Sequence, residues 1–188
     1  AIGIGEIIRI LDAAPQAALL IDEAYYEFYG VTALRLIEQY PNLYVSRTFS
    51  KAFGMAALRV GCLFSQAENV KYMHKAQSPY SVNLLAALAV RAAVEDRAFV
   101  DNYAVQAVEA RQALYRGFTE RGIRYYQSQA NFVLFEAGDQ AIPVRDALRD
   151  RGILVRDRSY ELPGTVRVTA GTLAQTERFF QALDQIWK

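Results

Sequence analysis

Ala17-Ala-Leu-Leu-Ile-Asp22 runs five apolar residues into a carboxylate, two positions after Pro15. So short and wholly apolar a run reads as a buried strand, and Pro15 stops the helical spacing of the preceding Glu6-Ile-Ile-Arg-Ile-Leu-Asp-Ala-Ala14. The cycle then repeats. Ala33 to Gln39 has helical spacing, Pro41-Asn42 marks a turn, and Leu43-Tyr-Val45 is a second strand leading into Ser46-Arg-Thr48. Val60 to Phe64 is predicted as a third. Helices alternating with apolar strands predict crossover connections around a parallel sheet, and such sheets gather ligand groups at the carboxyl ends of their strands. Asp22 and the segment Thr48 to Lys51 stand at such ends.

Beyond Ser78-Pro79 the texture changes to long helices, Val82 to Asp96 and then Phe99 to Arg121. In the second, Val100, Tyr103, Ala107, Ala110 and Leu114 recur at intervals of three and four, which is one apolar seam. After Gly122 the pattern predicts strands at Asn131 to Phe135, Ile153 to Arg156 and Thr165 to Thr169. It also predicts helices at Ile142 to Arg151, closed by Gly152, and at Ala174 to Trp187. The chain is therefore read as α/β in two parts. Residues 1–81 form part of a large domain with a parallel or mixed sheet, and residues 82–188 a small C-terminal α/β domain.

Composition narrows the function classes. The 188 residues carry 21 basic and 20 acidic groups, a net charge of +1, so no electrostatic excess points to nucleic acid or an anionic membrane. The longest aliphatic run, Leu84 to Val90, ends at Arg91, far short of the roughly 20 apolar residues that span a bilayer. One cysteine, Cys62, makes no internal disulfide, and with no basic-then-apolar leader a cytoplasmic setting is expected. A single histidine, His74, excludes a histidine-rich metal site, and no metal is expected. Cys62 reads as a small core residue and His74 as a cation near the end of a polar helix.

The chemistry concentrates in Ser46-Arg-Thr-Phe-Ser-Lys-Ala-Phe-Gly-Met-Ala-Ala-Leu-Arg-Val-Gly61. Thr48 and Ser50 precede Lys51, and Arg59 follows it by eight residues. Lysine is scarce here, four against seventeen arginines, and Lys51 sits among Phe49, Ala52, Phe53 and Met55. A partly desolvated lysine favours its neutral amine, the form that attacks a carbonyl, while hydroxyls and a guanidinium suit a phosphate. The alternative is a lysine whose ammonium snorkels into water from a helix start. Asp22, followed by Glu23-Ala-Tyr25, either meets a cationic or donor partner, for which a protonated ring nitrogen would serve, or caps a short helical turn.

Asp22, Tyr25, Thr48, Ser50, Lys51 and Arg59, in this order and spacing, resemble the fold-type I pyridoxal-phosphate aminotransferases. The resemblance implies that fold and a pyridoxal 5'-phosphate cofactor. Asp22 would pair with its pyridinium nitrogen and Tyr25 would bond its phenolic oxygen. Lys51 would hold it covalently, and Thr48, Ser50 and Arg59 would bind its phosphate. Four downstream stretches narrow the likeness to the histidinol-phosphate aminotransferases: Ser78-Pro-Tyr-Ser-Val-Asn83, Ala130-Asn-Phe-Val-Leu-Phe135, Gly152-Ile-Leu-Val-Arg-Asp157 and Leu162-Pro-Gly-Thr-Val-Arg-Val-Thr-Ala-Gly-Thr172.

By that likeness Arg167 anchors the substrate, Arg156 joins it on a phosphate, and Tyr80 and Asn131 are further substrate contacts. The residues alone leave Arg167 open as an outward-facing strand residue and Asn131 as a turn residue. The implied reaction is transamination of histidinol phosphate with 2-oxoglutarate in histidine biosynthesis, by a homodimer acting on small molecules. Another fold-type I enzyme, an aromatic aminotransferase or a phosphate-ester lyase, and a noncatalytic fragment are the alternatives. The family places the loop that wraps the cofactor phosphate, the ring-stacking aromatic and the asparagine assisting Tyr25 upstream of Ala1. The chain is thus expected to be the second half of such an enzyme and inactive alone.

Overall fold

The computed structural model describes residues 1–187, which divide into two compact units, Ala1–Asp101 and a second that begins at Asn102. The division falls inside one long helix, downstream of the 81/82 boundary read from the sequence.

In the first unit, α1 (Ile4–Ala13) lays Ile7 and Leu11 on a small core with Ala33, Leu43 and Val45. Strand β1 (Leu19–Asp22) pairs in parallel with β2 (Leu43–Thr48), in a register that sets Asp22 opposite Ser46. Strand β3 (Gly61–Phe64) then pairs with β2 in antiparallel fashion, so the sheet is mixed rather than all parallel. The turn-back has a local cause. The Phe49 N–H donates to Val60 O at 3.3 Å and the Met55 N–H to Phe49 O at 2.9 Å, so residues 49–60 fold on themselves instead of crossing the sheet. Gly61 is needed where the strands meet, because a Cβ there would lie 2.8 Å from the Arg47 carbonyl oxygen.

The expected helix at Ala33 to Gln39 is only a 3-10 turn at Leu34–Leu36, while the short helical turn offered as one reading of the residues after Asp22 is a one-turn helix, α2 (Tyr26–Tyr29). Helices α3 (Ala67–Ala76) and α4 (Leu84–Glu95) complete the unit. The N-cap of α4 is Asn83, whose side chain accepts from the Ala86 N–H at 2.9 Å.

Helix α5 (Arg97–Glu120) leads into the second unit. There β4 (Tyr125–Tyr126), β5 (Phe132–Glu136), β6 (Arg156–Asp157) and β7 (Thr165–Thr169) form an antiparallel sheet in the order β4-β5-β7-β6. The strand expected at Ile153 to Arg156 shrinks to β6, because Ile153 and Val155 pack on the core ahead of it. Helices α6 (Ala141–Asp150) and α7 (Leu173–Ile186) join α5 in a single core with Val133, Phe135, Val166 and Val168. These alternate strand residues leave Leu134, Arg167 and Thr169 on the other face of the sheet.

Candidate active site

Two side-chain groups stand out, one in each unit. In the first unit the parallel pairing of β1 and β2 brings their carboxyl ends side by side. Asp22 Oδ1 accepts from Ser46 Oγ at 3.0 Å and from the Ala24 N–H at 3.2 Å. Asp22 thus has a neutral donor across the sheet, and it shapes the turn ahead of α2 without capping that helix, whose N-cap is Tyr25. Asp22 itself is exposed, not buried at depth. Three residues on, Tyr25 lies beneath Lys51, whose Nζ is 5.4 Å from the ring centroid, within cation–π range. Residues far apart in the chain, 22–25 and 46–51, thus share one end of the sheet.

Of the two readings of Lys51, the structure shows the amine in water rather than the desolvated one. Phe49 and Ala52 are buried, and Phe49 meets Phe53 at 4.8 Å between ring centroids, but Lys51 itself is exposed. Apolar neighbours in sequence do not desolvate it, because the loop turns their side chains inward and the amine outward. Thr48 Oγ1 accepts from the Ser50 N–H at 3.1 Å, so the two hydroxyl residues form one tight turn in front of Lys51.

Arg59 closes the same loop. Its φ of 54° makes it the one non-glycine residue with positive φ among the described residues, a conformation costing about 1–3 kcal/mol that clusters at functional sites. Its Nη1 donates to Ala56 O at 2.9 Å, which folds the guanidinium back on its own turn. Tyr80 lies on an exposed turn, 91% accessible, with its N–H donating to Ser78 Oγ at 3.4 Å.

Sequence reasoning passed over the residues between these. Glu23 is buried, 8% accessible, and pairs with Arg47 through a 2.9 Å contact. The signal was present: two opposite charges, each flanked by candidate site residues, fall side by side once Asp22 pairs with Ser46. Nearby Glu27 has its carboxyl pushed above the usual range by burial, with the Arg47 charge opposing that rise.

In the second unit, Arg156 and Arg167 are direct cross-strand neighbours on β6 and β7. Like charges in that position repel, and neither takes a carboxylate partner among the described residues. Arg167 instead packs its guanidinium 5.0 Å from the Phe132 ring centroid. Asn131, just before Phe132, accepts the Ala170 N–H on its backbone oxygen at 2.8 Å, so it stands at the end of the same sheet. Its turn is held from α5. The Tyr115 hydroxyl accepts from the Ser128 N–H at 2.6 Å, and Arg111, 8% accessible, donates to Ala130 O at 2.8 Å. A paired guanidinium cluster on an open sheet face can hold a phosphate or a carboxylate.

Comparisons with known proteins give the family and the fold. Residues 4–183 match the family described as aminotransferase class I and II. A histidinol-phosphate aminotransferase 2 of Methylococcus capsulatus is 41% identical over 192 aligned positions, covering 98% of this chain and 52% of that protein. A solved histidinol-phosphate aminotransferase from Clostridium acetobutylicum superposes with a TM-score of 0.87 at 24% identity, over 98% of this chain and 59% of that one. A solved L-threonine-O-3-phosphate decarboxylase from Porphyromonas gingivalis gives 0.81 at 25% identity, over the same shares. The chain spans about half the length of the curated relatives it matches.

Proposed function

This chain belongs to the aminotransferase class I and II family, and from that premise we propose that it carries the lysine-bearing part of a pyridoxal 5'-phosphate enzyme that transaminates histidinol phosphate with 2-oxoglutarate. The observation that carries this reading is the approach of Lys51 Nζ to the Tyr25 ring, three residues from Asp22, at the carboxyl ends of paired parallel strands. The donor set fits the cofactor: an amine for its aldehyde, a carboxylate for its ring nitrogen, and hydroxyls with a guanidinium for its phosphate. When bound, the cofactor supplies an electron sink for charge developing on the substrate carbon.

The roles of this chain's own residues follow from their chemistry. Lys51 holds the cofactor and then, as a free amine at Nζ, moves the proton to and from the substrate carbon. Asp22, with Oδ1 already oriented by Ser46 and Ala24, keeps a proton on the ring nitrogen. Tyr25 bonds the phenolic oxygen, while Thr48, Ser50 and Arg59 hold the phosphate. Arg156 and Arg167 grip the anionic end of the substrate, which relieves their mutual repulsion, with Asn131 and Tyr80 as further contacts. Residues 1–81 are assigned to the cofactor-binding domain and 82–188 to the substrate-facing one. A homodimer in the cytoplasm completes the reading, on the family likeness.

The test is Lys51→Ala in the intact protein. Transamination should fall by about 10³-fold or more while noncovalent cofactor binding survives. Unchanged turnover sinks the assignment. The likeness to the phosphothreonine decarboxylase supports a second reading, a phosphate-ester lyase on the same residues. Amino transfer from histidinol phosphate decides for the first reading, and carbon dioxide release from O-phosphothreonine decides for the second.

A further inference from the structure

The ends of β1 and β2 carry a second set of residues interleaved with the first. Asp22, Tyr25, Ser46 and Thr48 belong to the candidate site, and each has a chain neighbour in a different cluster: Glu23, Tyr26 and Arg47. Glu23 Oε1 accepts the Ala33 N–H at 2.6 Å, and Oε2 accepts Thr32 Oγ1 at 2.9 Å and Arg47 Nε at 3.0 Å. Arg47 Nη2 donates to Thr32 Oγ1 at 2.9 Å, and the guanidinium carbon lies 3.6 Å from the Tyr26 ring centroid. The Glu23 N–H donates to Ser46 O at 2.9 Å, which extends the ladder past Asp22. Both carboxylate oxygens are thus bonded, on the side of the strands opposite Asp22 and Ser46.

A buried ion pair rarely contributes more stability than an apolar pair of similar volume, so stability alone does not account for it. Register does. A slip of β2 by one residue would exchange its faces, carrying Arg47 round beside Asp22 and turning Ser46 and Thr48 away. We propose that the Glu23–Arg47 pair is a positioning device for the cofactor site, which fixes the β1–β2 register so that Asp22 meets Ser46 and keeps the Arg47 cation neutralised behind the site. The proposal rests on the cofactor reading above. Because the pair is neutral as a unit, losing either member exposes the site to the other's charge, poorly screened by the protein around it.

Opposite signs make this testable. In the intact protein loaded with pyridoxal phosphate, absorbance-monitored pH titration gives the midpoint of the lysine-bound cofactor, and equilibrium titration gives its affinity. Glu23→Gln strands the Arg47 cation and should move the midpoint down by about half a pH unit or more, whereas Arg47→Met strands the carboxylate and should move it up. Each should weaken cofactor affinity about tenfold, and the double variant should bring the midpoint back toward the wild-type value.

The other charged groups around the pair, Glu27 and Arg97 behind it and Asp22 and Lys51 in front, are the same in all these variants. Leu11→Ala, in the core of the same unit, is the control for lost stability and should change neither reading. Single-variant midpoints that move together, or no further than in Leu11→Ala, overturn the proposal. Should the charge variants fail to fold, Thr32→Val removes one hydroxyl and no charge. It should weaken affinity about threefold with the midpoint unmoved, and wild-type affinity overturns the proposal. A wild-type protein whose cofactor absorbance is unaffected by Lys51→Ala defeats the cofactor reading itself.

Discussion

Leu183 and Leu11 are both essentially inaccessible, at 0% and 1%, yet they sit in very different surroundings. Around Leu183 the second unit packs Phe118, Phe135, Phe179 and Phe180, with Phe118 and Phe135 stacked at 4.9 Å and Phe179 meeting Phe180 edge-on at 5.0 Å. Around Leu11 the first unit offers Ile7, Ala33, Leu43 and Val45, with Leu19, Ile21 and Tyr40 half-buried beside them. Helix α4 is almost entirely apolar, yet among its leucines Leu84, Leu85 and Leu88 are 73%, 74% and 56% exposed. The second unit exposes apolar side chains too, Leu154 at 78% among them, so the difference lies in the cores: a large aromatic one in the second unit, a small aliphatic one in the unit that carries the candidate cofactor residues at its strand ends.

The sharpest way to break this contrast is the same truncation in both cores. Leu183→Ala removes a side chain from a rigid aromatic enclosure that collapses poorly, so it should cost about 4–5 kcal/mol, at the upper end of such truncations. Leu11→Ala lies in a thinner core that can relax, and about 2–3 kcal/mol is expected. Denaturant unfolding of the two variants measures both. Equal losses would mean that the first unit is as tightly enclosed as the second.

The next effect in size tests packing rather than emptiness. Gly117 on α5 leaves room for Phe180 of α7: a Cβ there would lie 2.3 Å from the ring. Gly117→Ala overfills this contact and should destabilise the second unit by about 1–3 kcal/mol, even though alanine favours helix over glycine. A stability gain would show the contact to be loose.

The strands were legible in the sequence because short apolar runs bounded by Pro15, Asp22 and Pro41 have no other good use, and β7 has the bounds expected of it. The direction of β3 was not legible. It depends on the hydrogen bonds of Phe49 and Met55 inside the loop and on Arg59 adopting positive φ, none of which apolar periodicity encodes. The roles expected of Asp22, Tyr25 and Lys51 came from the family resemblance that their order and spacing carry, and the parallel register turns a separation of 24 residues into the side-by-side pair Asp22 and Ser46. The exposure of Lys51 matches the alternative in which its ammonium reaches water; the desolvated reading failed because neighbours in sequence were taken as neighbours in space. Glu23 and Arg47 were missed because each stands next to a residue with a more obvious use.

The smallest effect concerns the surface of the better-packed unit. Arg121 grips Asp184 with two hydrogen bonds, Nε to Oδ1 at 2.6 Å and Nη2 to Oδ2 at 2.7 Å, and rests over the Phe180 ring at 4.4 Å. The hydrogen bonds from Arg121 hold the Asp184 carboxyl below its usual range. A carboxylate with a depressed folded-state pKa contributes stability above its unfolded value, near 3.9, and loses it as the pH falls through the folded value. Half of the Asp184 side chain is exposed, so solvent screens the pair, and Asp184→Asn should cost less than about 1 kcal/mol near neutral pH. That difference between variant and wild type should shrink below about pH 4 and vanish once Asp184 is protonated in both states. A cost that persists at low pH would mean that Arg121 acts through its packing on Phe180, and that even the rim of this unit is held by its aromatic core.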